Sequence, residues 1–185
     1  MNGALDLITN QYNDFCGNYS FLLNNTQISF ANEYKSQFSK VMLLSVARYF
    51  ESAIIKTIKE AVNPSDCTLT DEFISKKALA RQYHPLFDWD KRNSNKFYAF
   101  FGDDFKQFMI NKINQDRELE SAISSFITIG SLRNQLAHQN YASFNLQLTA
   151  EEIHNKFQEA NNFFVSRIKD FIVEFRTEQL TAKSE

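Results

Sequence analysis

Glycine and proline are scarce in this sequence, with four and two residues of 185. So few turn-forming residues argue against a turn-rich all-β protein, a collagen-like chain and a flexible linker protein. The two cysteines, Cys16 and Cys67, lack the CxxC spacing, so the sequence predicts neither a zinc site nor a disulfide framework. The formal net charge of −2 excludes a bulk-cationic binder of nucleic acid or membrane surface, although it leaves room for a local basic patch.

Long hydrophobic runs are also missing. No window approaches the ~18–20 consecutive apolar residues that cross a bilayer. Residues 1–20 lack the basic start and the apolar stretch of a signal peptide. We therefore expect a cytoplasmic protein without membrane association. The sequence also lacks a glycine-rich phosphate loop, a zinc-ligand spacing and a carboxylate pair for two-metal catalysis, so we expect no cofactor and no metal.

Phenylalanine is the residue in excess, with 19 copies in a chain that is 43% hydrophobic. So much aromatic surface must be buried in a core, which excludes a disordered chain. Apolar residues recur with helical spacing along nearly the whole sequence. This pattern predicts an all-α fold, a helical bundle with a long second helix and an irregular middle insertion. We expect one domain over 1–185, with the irregular loop at 84–96 and a polar tail at 179–185.

Turn-forming and capping residues predict where the helices begin and end. A first helix should end near Gly17, and the long helix should stop at Asn63-Pro64, because the residue before a proline is pushed out of the helical region. Thr149 and Glu152 match a capping box, in which each side chain accepts a hydrogen bond from the other residue's backbone N–H. The expected helices cover 4–16, 28–62, 70–83 with Thr70 as N-cap, a helix capped by Asp103, 116–138, and a last helix with apolar residues from 153 to 175.

One segment breaks the amphipathic pattern because it carries almost no charge. Between Glu120 and Glu151, the only Asp, Glu, Lys or Arg is Arg133. An arginine without a carboxylate nearby in the sequence must find its anion on another helix, another subunit or a ligand. His138 follows five residues later, within reach of the same cleft if the last helical turn loosens. A permanent cation beside a group that titrates near neutrality suits phosphate chemistry.

The same residues also allow a purely structural interpretation. Arg133 could pair with Glu51 or Asp104, and Asn134 with His138 could serve only to end the helix. Short motifs often match by chance, so the spacing alone does not decide between the two interpretations.

The segment Arg133-Asn134-x-x-x-His138 resembles the R-x(4–6)-H motif of the HEPN superfamily (higher eukaryotes and prokaryotes nucleotide-binding), here in the form R-x4-H. Its surroundings are similar to prokaryotic HEPN ribonucleases of the RiboL-PSP type. A Phe-Gly pair, Phe101-Gly102, precedes the motif helix, and a loop, a capped Thr-x-Glu-Glu start and an aromatic-rich final helix follow it. The resemblance covers residues 97–178 and is weaker over 41–62.

This resemblance implies a metal-independent endoribonuclease that works as a homodimer, with two motifs facing each other across one cleft. In such enzymes the ribose 2′-OH attacks the phosphate and leaves a 2′,3′-cyclic phosphate and a 5′-OH, and many are toxins or antiviral effectors. The resemblance carries the catalytic roles onto Arg133, Asn134 and His138. It implies RNA as the substrate and an antitoxin or defence-system protein as a further partner.

One departure from the family concerns Tyr141. In HEPN toxins that a nucleotidyltransferase antitoxin inactivates, the acceptor tyrosine follows the histidine by two positions. Here Tyr141 follows His138 by three positions. This difference in spacing argues against inactivation by a nucleotidyltransferase antitoxin in this chain.

Reaction chemistry favours a dimer independently of the family. In-line attack by a 2′-OH needs a base for the hydroxyl and an acid for the departing 5′-oxygen. His84 and His154 are poor candidates for the second role, since one precedes Pro85 in the irregular segment and the other lies in the first turn of a helix. Two copies of His138 across a two-fold axis would supply both roles, and two copies of Arg133 would stabilise the charged phosphorane.

Three further residues are candidates for substrate binding: Arg48, Glu51 and Tyr141. Arg48 and Glu51 lie three positions apart on the long helix, where an ordinary surface pair is the alternative. The second function that fits the sequence is a non-catalytic HEPN-like module that binds nucleotide, RNA or a partner protein. The net charge of −2 favours this second function, because non-specific RNA binding depends on phosphate neutralisation.

Overall fold

The structure is a computed structural model that describes residues 2–63, 67–79, 83–91 and 93–182. Every regular element within these residues is helical, so the predicted all-α fold is confirmed. The α-helices in chain order are α1 (Asn2–Asn24), α2 (Ile28–Val62), α3 (Thr68–Phe73), α4 (Tyr83–Leu86), α5 (Asn95–Ala99), α6 (Asp103–Gln115), α7 (Arg117–His138), α8 (Ala150–Phe163) and α9 (Ile168–Ala182).

The chain divides into two compact units. The first unit comprises Met1–Tyr49 and Thr128–Gln158, and the second comprises Phe50–Ile127 and Glu159–Glu185. The expectation of one domain over 1–185 stays a prediction.

The long second helix has the predicted bounds, Ile28–Val62. Four apolar residues of the predicted stripe on this helix are buried: Phe50, Ile54, Ile58 and Ala61. Directly after the helix, both ends of the Asn63 side-chain amide form hydrogen bonds with the backbone of Cys67. Its Nδ2 donates to Cys67 O at 2.9 Å, and its Oδ1 accepts from Cys67 N–H at 3.1 Å. Pro64, the other half of the predicted stop, lies outside the described residues.

The predicted end of the first helix near Gly17 is wrong, because α1 continues to Asn24. A glycine inside a helix costs only about 1 kcal/mol relative to alanine, and burial of other residues on the same helix, such as Phe15, offsets that cost. The chain leaves the helical conformation where Thr26 adopts a positive φ of 58°.

The predicted third helix also differs from the observed one at both ends. Thr70 is not its N-cap, because α3 starts two residues earlier with Cys67 in the N-cap position. The two hydrogen bonds between the Asn63 side chain and the Cys67 backbone hold Cys67 in this position. At the other end, α3 gives way to a π-helical turn, Ile74–Leu79, instead of continuing to Tyr83 as an α-helix. Residues 80–82 lie outside the described part of the chain.

The corner before α6 is made by a glycine. Gly102, and not Asp103, occupies the N-cap position of α6. Its φ of 103° lies in the left-handed region, which glycine adopts without the steric cost of a side chain. The next helix begins where predicted, directly after Asp116, whose Oδ1 accepts from Leu119 N–H at 3.0 Å.

The predicted continuous final helix is interrupted. Between α8 and α9 lies a 3₁₀ turn, Val165–Arg167, preceded by Phe164 with φ −127° and ψ −68°. Phe164 and Ile168 are nevertheless both buried. The apolar spacing therefore continues across the break, and periodicity alone cannot reveal it. The polar tail is helical as far as Ala182, and residues 183–185 lie outside the described part.

The irregular middle insertion contributes a tryptophan to the core of the second unit. The ring centroid of Trp89 lies 5.0 Å from that of Phe87 and 5.9 Å from that of Phe126. Its Nε1 donates to His84 O at 2.9 Å. Trp89 therefore fills the edge of the core.

An imidazole is buried in the first unit. His154 is 7% exposed and stacks on Tyr12, with ring centroids 4.1 Å apart and planes 8° from parallel. Burial lowers the pKa of His154 below its ordinary value. Burial, with a contribution from Cys16, also raises the pKa of Tyr12 to about 12. The core of this unit thus holds a neutral imidazole at pH 7, which supports the exclusion of His154 as the second catalytic group.

This buried imidazole predicts a loss of stability in mild acid. The pKa of His154 is lower in the folded chain than in the unfolded chain, so the unfolded chain binds the proton more readily. The free energy of unfolding should therefore decrease as the pH falls below about 6.5. The variant His154→Phe keeps an aromatic ring against Tyr12 but removes the proton site. Its free energy of unfolding, measured with urea, should therefore fall less than that of the wild type between about pH 7.5 and pH 5.5. Equal losses in both proteins would contradict the assignment.

Candidate active site

The C-terminal half of α7 carries the motif. Arg133 and Asn134 are half-buried, whereas His138, the last residue of the helix, is exposed. The helix stays intact to this end, since Gln139 N–H donates to Gln135 O at 3.1 Å. Asn134 and His138 are separated by four residues and so face the same side one helical turn apart.

Arg133 and Asn134 are joined directly through their side chains. Arg133 Nη1 donates to Asn134 Oδ1 at 3.0 Å. Because a guanidinium group can only donate, this bond fixes which end of the asparagine amide is the oxygen. The bond orients the two side chains relative to each other.

The nitrogen end of the same amide lacks a partner. Asn134 Nδ2 is buried and makes no hydrogen bond to any residue that the structure describes. Leaving a buried donor unsatisfied costs about 1–3 kcal/mol, and native proteins rarely keep such groups without a reason. A donor held in this way beside an arginine can serve an acceptor that arrives from outside the chain, such as a phosphate oxygen.

The loop after His138 is folded tightly on itself. Asn140 O accepts from Phe144 N–H at 2.9 Å, and Asn140 Oδ1 accepts from Ala142 N–H at 2.9 Å. Phe144 is buried. At its far end the loop meets the predicted capping box, which is confirmed: Glu152 N–H donates to Thr149 Oγ1 at 3.2 Å, and Thr149 N–H donates to Glu152 Oε2 at 2.8 Å.

A buried lysine holds this loop to α2. Lys40 is only 3% exposed, and its Nζ donates to Tyr141 O at 2.9 Å. The same ammonium lies 5.1 Å from the centroid of the Tyr141 ring, within cation–π distance. Lys40 thus contacts both the backbone and the ring of a residue three positions after His138.

Lys40 is not among the predicted site residues, although the sequence carries a signal for it. Lys40 precedes Leu43 and Ala47 by three and seven positions, which places all three on one face of the helix. Leu43 and Ala47 are both buried. A charged residue on an apolar stripe marks a buried or functional position, because an ammonium is rarely buried without partners.

The sequence matches the family described as RiboL-PSP-HEPN over residues 10–174. The chain belongs to the RiboL-PSP-HEPN family. The match extends well beyond the segment that resembles the family by its motif, since it includes most of α1 and all of α2. No curated protein and no solved structure matches the chain.

Membership in the HEPN family associates the chain with RNA. HEPN domains bind RNA and often dimerise, and the family is generally associated with ribonucleases. None of the helices in the described part of this HEPN chain is both long enough and apolar enough to cross a bilayer.

The three candidates for substrate binding lie at different places in the HEPN chain. Arg48 is exposed and Glu51 half-buried, both on α2. Tyr141 is 41% exposed, and the Lys40 ammonium lies over its ring, 5.1 Å from the centroid. The catalytic roles of Arg133, Asn134 and His138 and the binding roles of these three residues stay predictions.

The contacts of Lys40 predict that its removal loosens the loop. Lys40→Met keeps most of the aliphatic stem but removes the bond to Tyr141 O and the cation–π contact. Amide hydrogen exchange at Ala142 and Phe144 should therefore become faster. Lys35→Met is the matched control, since Lys35 lies on the same helix with its ammonium 5.8 Å from the ring of Tyr19 on α1. Unchanged exchange in Lys40→Met, or an equal increase in both variants, would contradict this role.

Proposed function

We propose that this HEPN protein is a metal-independent endoribonuclease that cleaves RNA by attack of the ribose 2′-OH on the adjacent phosphate. Its site is composite, with Arg133, Asn134 and His138 contributed by each of two protomers. The observation that carries the proposal is the arrangement at the end of α7. Arg133 Nη1 lies 3.0 Å from Asn134 Oδ1, and the Asn134 nitrogen has no acceptor among the described residues. The exposed imidazole of His138 follows one helical turn later.

Each residue type suits one part of the reaction. An imidazole can take the proton of the 2′-OH, and a second, protonated imidazole can give a proton to the departing 5′-oxygen. A guanidinium presents a planar fork of donors to the non-bridging phosphate oxygens and stabilises the negative charge that develops there. The amide nitrogen of Asn134 can donate to the same oxygens or orient the imidazole of His138.

Two protomers are needed because one chain supplies one suitable histidine. His154 is buried and its pKa is lowered by burial. His84 is exposed in the second unit, and its carbonyl anchors the Trp89 indole. A two-fold axis would bring a second His138 and a second Arg133 to the same phosphate, which completes the acid and base pair.

We infer a cytoplasmic toxin or antiviral effector as the biological role, since many HEPN ribonucleases act in this way. An antitoxin or another defence-system protein would then be its partner. Tyr141 is a candidate point of contact for such control, because it is partly exposed beside the motif.

Substitution of the motif tests the proposed activity. His138→Ala should reduce RNA cleavage by at least ~10²-fold, since general acid–base catalysis contributes about 10²–10⁴-fold. Arg133→Ala should abolish cleavage to a similar degree. Arg133→Lys should recover little, because an ammonium lacks the planar fork. The measurement is the initial rate on tRNA, rRNA and mRNA, with helical circular dichroism and melting temperature as the check on folding.

Two substitutions serve as matched controls. Arg117→Ala removes an exposed arginine at the other end of the same helix, and His84→Ala removes an exposed histidine. Both should leave cleavage near the wild-type rate. If Arg133→Ala and His138→Ala instead unfold, the pair serves to complete the helix. If the wild type cleaves none of these RNAs, the observation favours a non-catalytic module that binds RNA, nucleotide or protein.

The same reactions reveal the chemistry. Cleavage should persist in excess EDTA, the products should carry a 2′,3′-cyclic phosphate, and 2′-O-methyl ribose at the scissile position should block cutting. The rate should be bell-shaped in pH, because one imidazole must be neutral and the other protonated, and its two limbs belong to the coupled pair. Magnesium-dependent cleavage that leaves a 5′-phosphate would contradict this mechanism.

Mixed dimers test the composite site. The wild type should sediment at about twice 21.6 kDa. A dimer of one His138→Ala chain and one Arg133→Ala chain retains one imidazole and one guanidinium. It should therefore cleave far more slowly than a dimer of wild-type chains if both imidazoles are required. A fully active monomer, or a mixed dimer with the wild-type rate, would overturn the two-protomer site.

A further inference from the structure

A small polar pocket lies in the second unit, apart from the residues of the R-x4-H motif. Its volume is about 170 Å³. Three segments line it: Asn93, Ser94 and Asn95 before and at the start of α5, the end of α6, and the first turns of α7. A cavity of about 150 Å³ accepts a benzene ring, so the pocket has room for one small ring system and not for a drug-sized ligand.

Ser94 lines the pocket and is fully buried at 0% exposure. It occupies the N-cap position of α5, yet its side chain does not cap the helix. One turn later Tyr98 is also buried, and the hydroxyl groups of Ser94 and Tyr98 interact with each other. Burial raises the pKa of Tyr98, so this phenol keeps its proton. The contact between the two hydroxyl groups is not a well-formed hydrogen bond, so Ser94 contributes polar character to this part of the pocket.

Both apolar and polar side chains line the pocket. Ile113 and Ile123 offer apolar surface. Asn95, Asn114 and Glu120 supply amide and carboxylate groups. Such a combination suits a planar heterocycle, whose faces are apolar and whose edge carries hydrogen-bonding groups. The carboxylate makes the pocket unfavourable for a phosphate, because like charges repel.

The carboxylate also selects among heterocycles. Glu120 has two acceptor oxygens and no donor when ionised, so it pairs best with two adjacent N–H donors. Guanine presents such a pair on its Watson–Crick edge, at N1 and the exocyclic N2. Adenine, cytosine and uracil each place an acceptor beside their donor on this edge, which would face the carboxylate unfavourably. The amide of Asn114 can donate to the O6 and N7 acceptors of guanine.

We propose that this pocket binds one guanine base, with Glu120 accepting from its Watson–Crick donors and Ile113 and Ile123 against its faces. The base comes either from a free guanosine or guanosine monophosphate, or from an unstacked guanine in single-stranded RNA. This proposal does not depend on RNA cleavage, since it concerns binding by the second unit.

Chemical-shift titration of the full chain with guanosine tests the pocket. Amide signals of residues 93–95 and 110–123 should move with guanosine, and adenosine and cytidine should bind at least about tenfold more weakly. Glu120→Gln should lose this preference, because its amide offers a donor where guanine needs an acceptor. Glu118→Gln, an exposed substitution in the same first turns of α7, should keep it. Asn114→Trp, at an exposed position on the rim, should fill the opening and abolish binding.

Comparison of probes separates the two sources of guanine. If guanosine and guanosine monophosphate bind as tightly as a short single-stranded RNA containing one guanine, the pocket serves a free nucleotide. If that RNA binds more tightly than the same RNA with adenine in place of guanine and than guanosine, the pocket reads an RNA base.

Two outcomes would overturn the proposal. Guanosine that moves no signals of residues 93–95 and 110–123 would mean that solvent fills the pocket, and binding that survives Asn114→Trp would place the ligand elsewhere. Failure of the ribonuclease proposal would look different. The wild type would then bind guanosine through this pocket and still leave every RNA intact.

Discussion

Burial of one face of α7 is the constraint on which the candidate active site depends. In the first unit, which holds the motif, Ile129 and Leu136 lie two turns apart on this face and are 0% and 3% exposed. Because these side chains fix the rotation of the helix about its own axis, they also determine where each following residue points. As a result, Arg133 and Asn134 are half-buried, and His138 is exposed at the end of the helix. A shift of one residue would turn each side chain by about 100° and place the imidazole on another face.

A second constraint fixes the chain beyond the helix. The ammonium of Lys40 is removed from water, which is costly unless polar groups replace the lost hydration. The carbonyl and ring of Tyr141 provide part of that replacement. Because Tyr141 lies in the loop after His138, its contacts with Lys40 also constrain the path of that loop. In this way a buried charge on α2 contributes to the surroundings of the motif, although it lies 98 positions before His138 in the sequence.

Four buried side-chain polar atoms make no well-formed hydrogen bond within the part of the chain that the structure describes. In the described residues these buried side-chain atoms are Ser94 Oγ, Tyr98 Oη, Asn134 Nδ2 and His154 Nε2. His154 stacks on Tyr12, and burial keeps it neutral, which limits the cost of its unsatisfied nitrogen. Asn134 lies beside the guanidinium of Arg133, and Ser94, which interacts with the Tyr98 hydroxyl, lines a polar pocket. Both are positions where an arriving ligand would offset the cost of burial.

The all-α class, the bounds of α2, the capping box at Thr149 and the Arg133–His138 motif could be predicted from the sequence, because these features depend on local spacing and local hydrogen bonds. Features that depend on partners distant in sequence could not be predicted in this way. Gly17 stays helical because the burial of its helix outweighs its intrinsic cost, and the break at Phe164 is invisible to periodicity because Phe164 and Ile168 are buried on either side of it. The contact of Lys40 with Tyr141 joins residues 101 positions apart, and three separate segments of the chain line the pocket beside Ser94. A local pattern in the sequence cannot predict contacts between residues that lie so far apart in the chain.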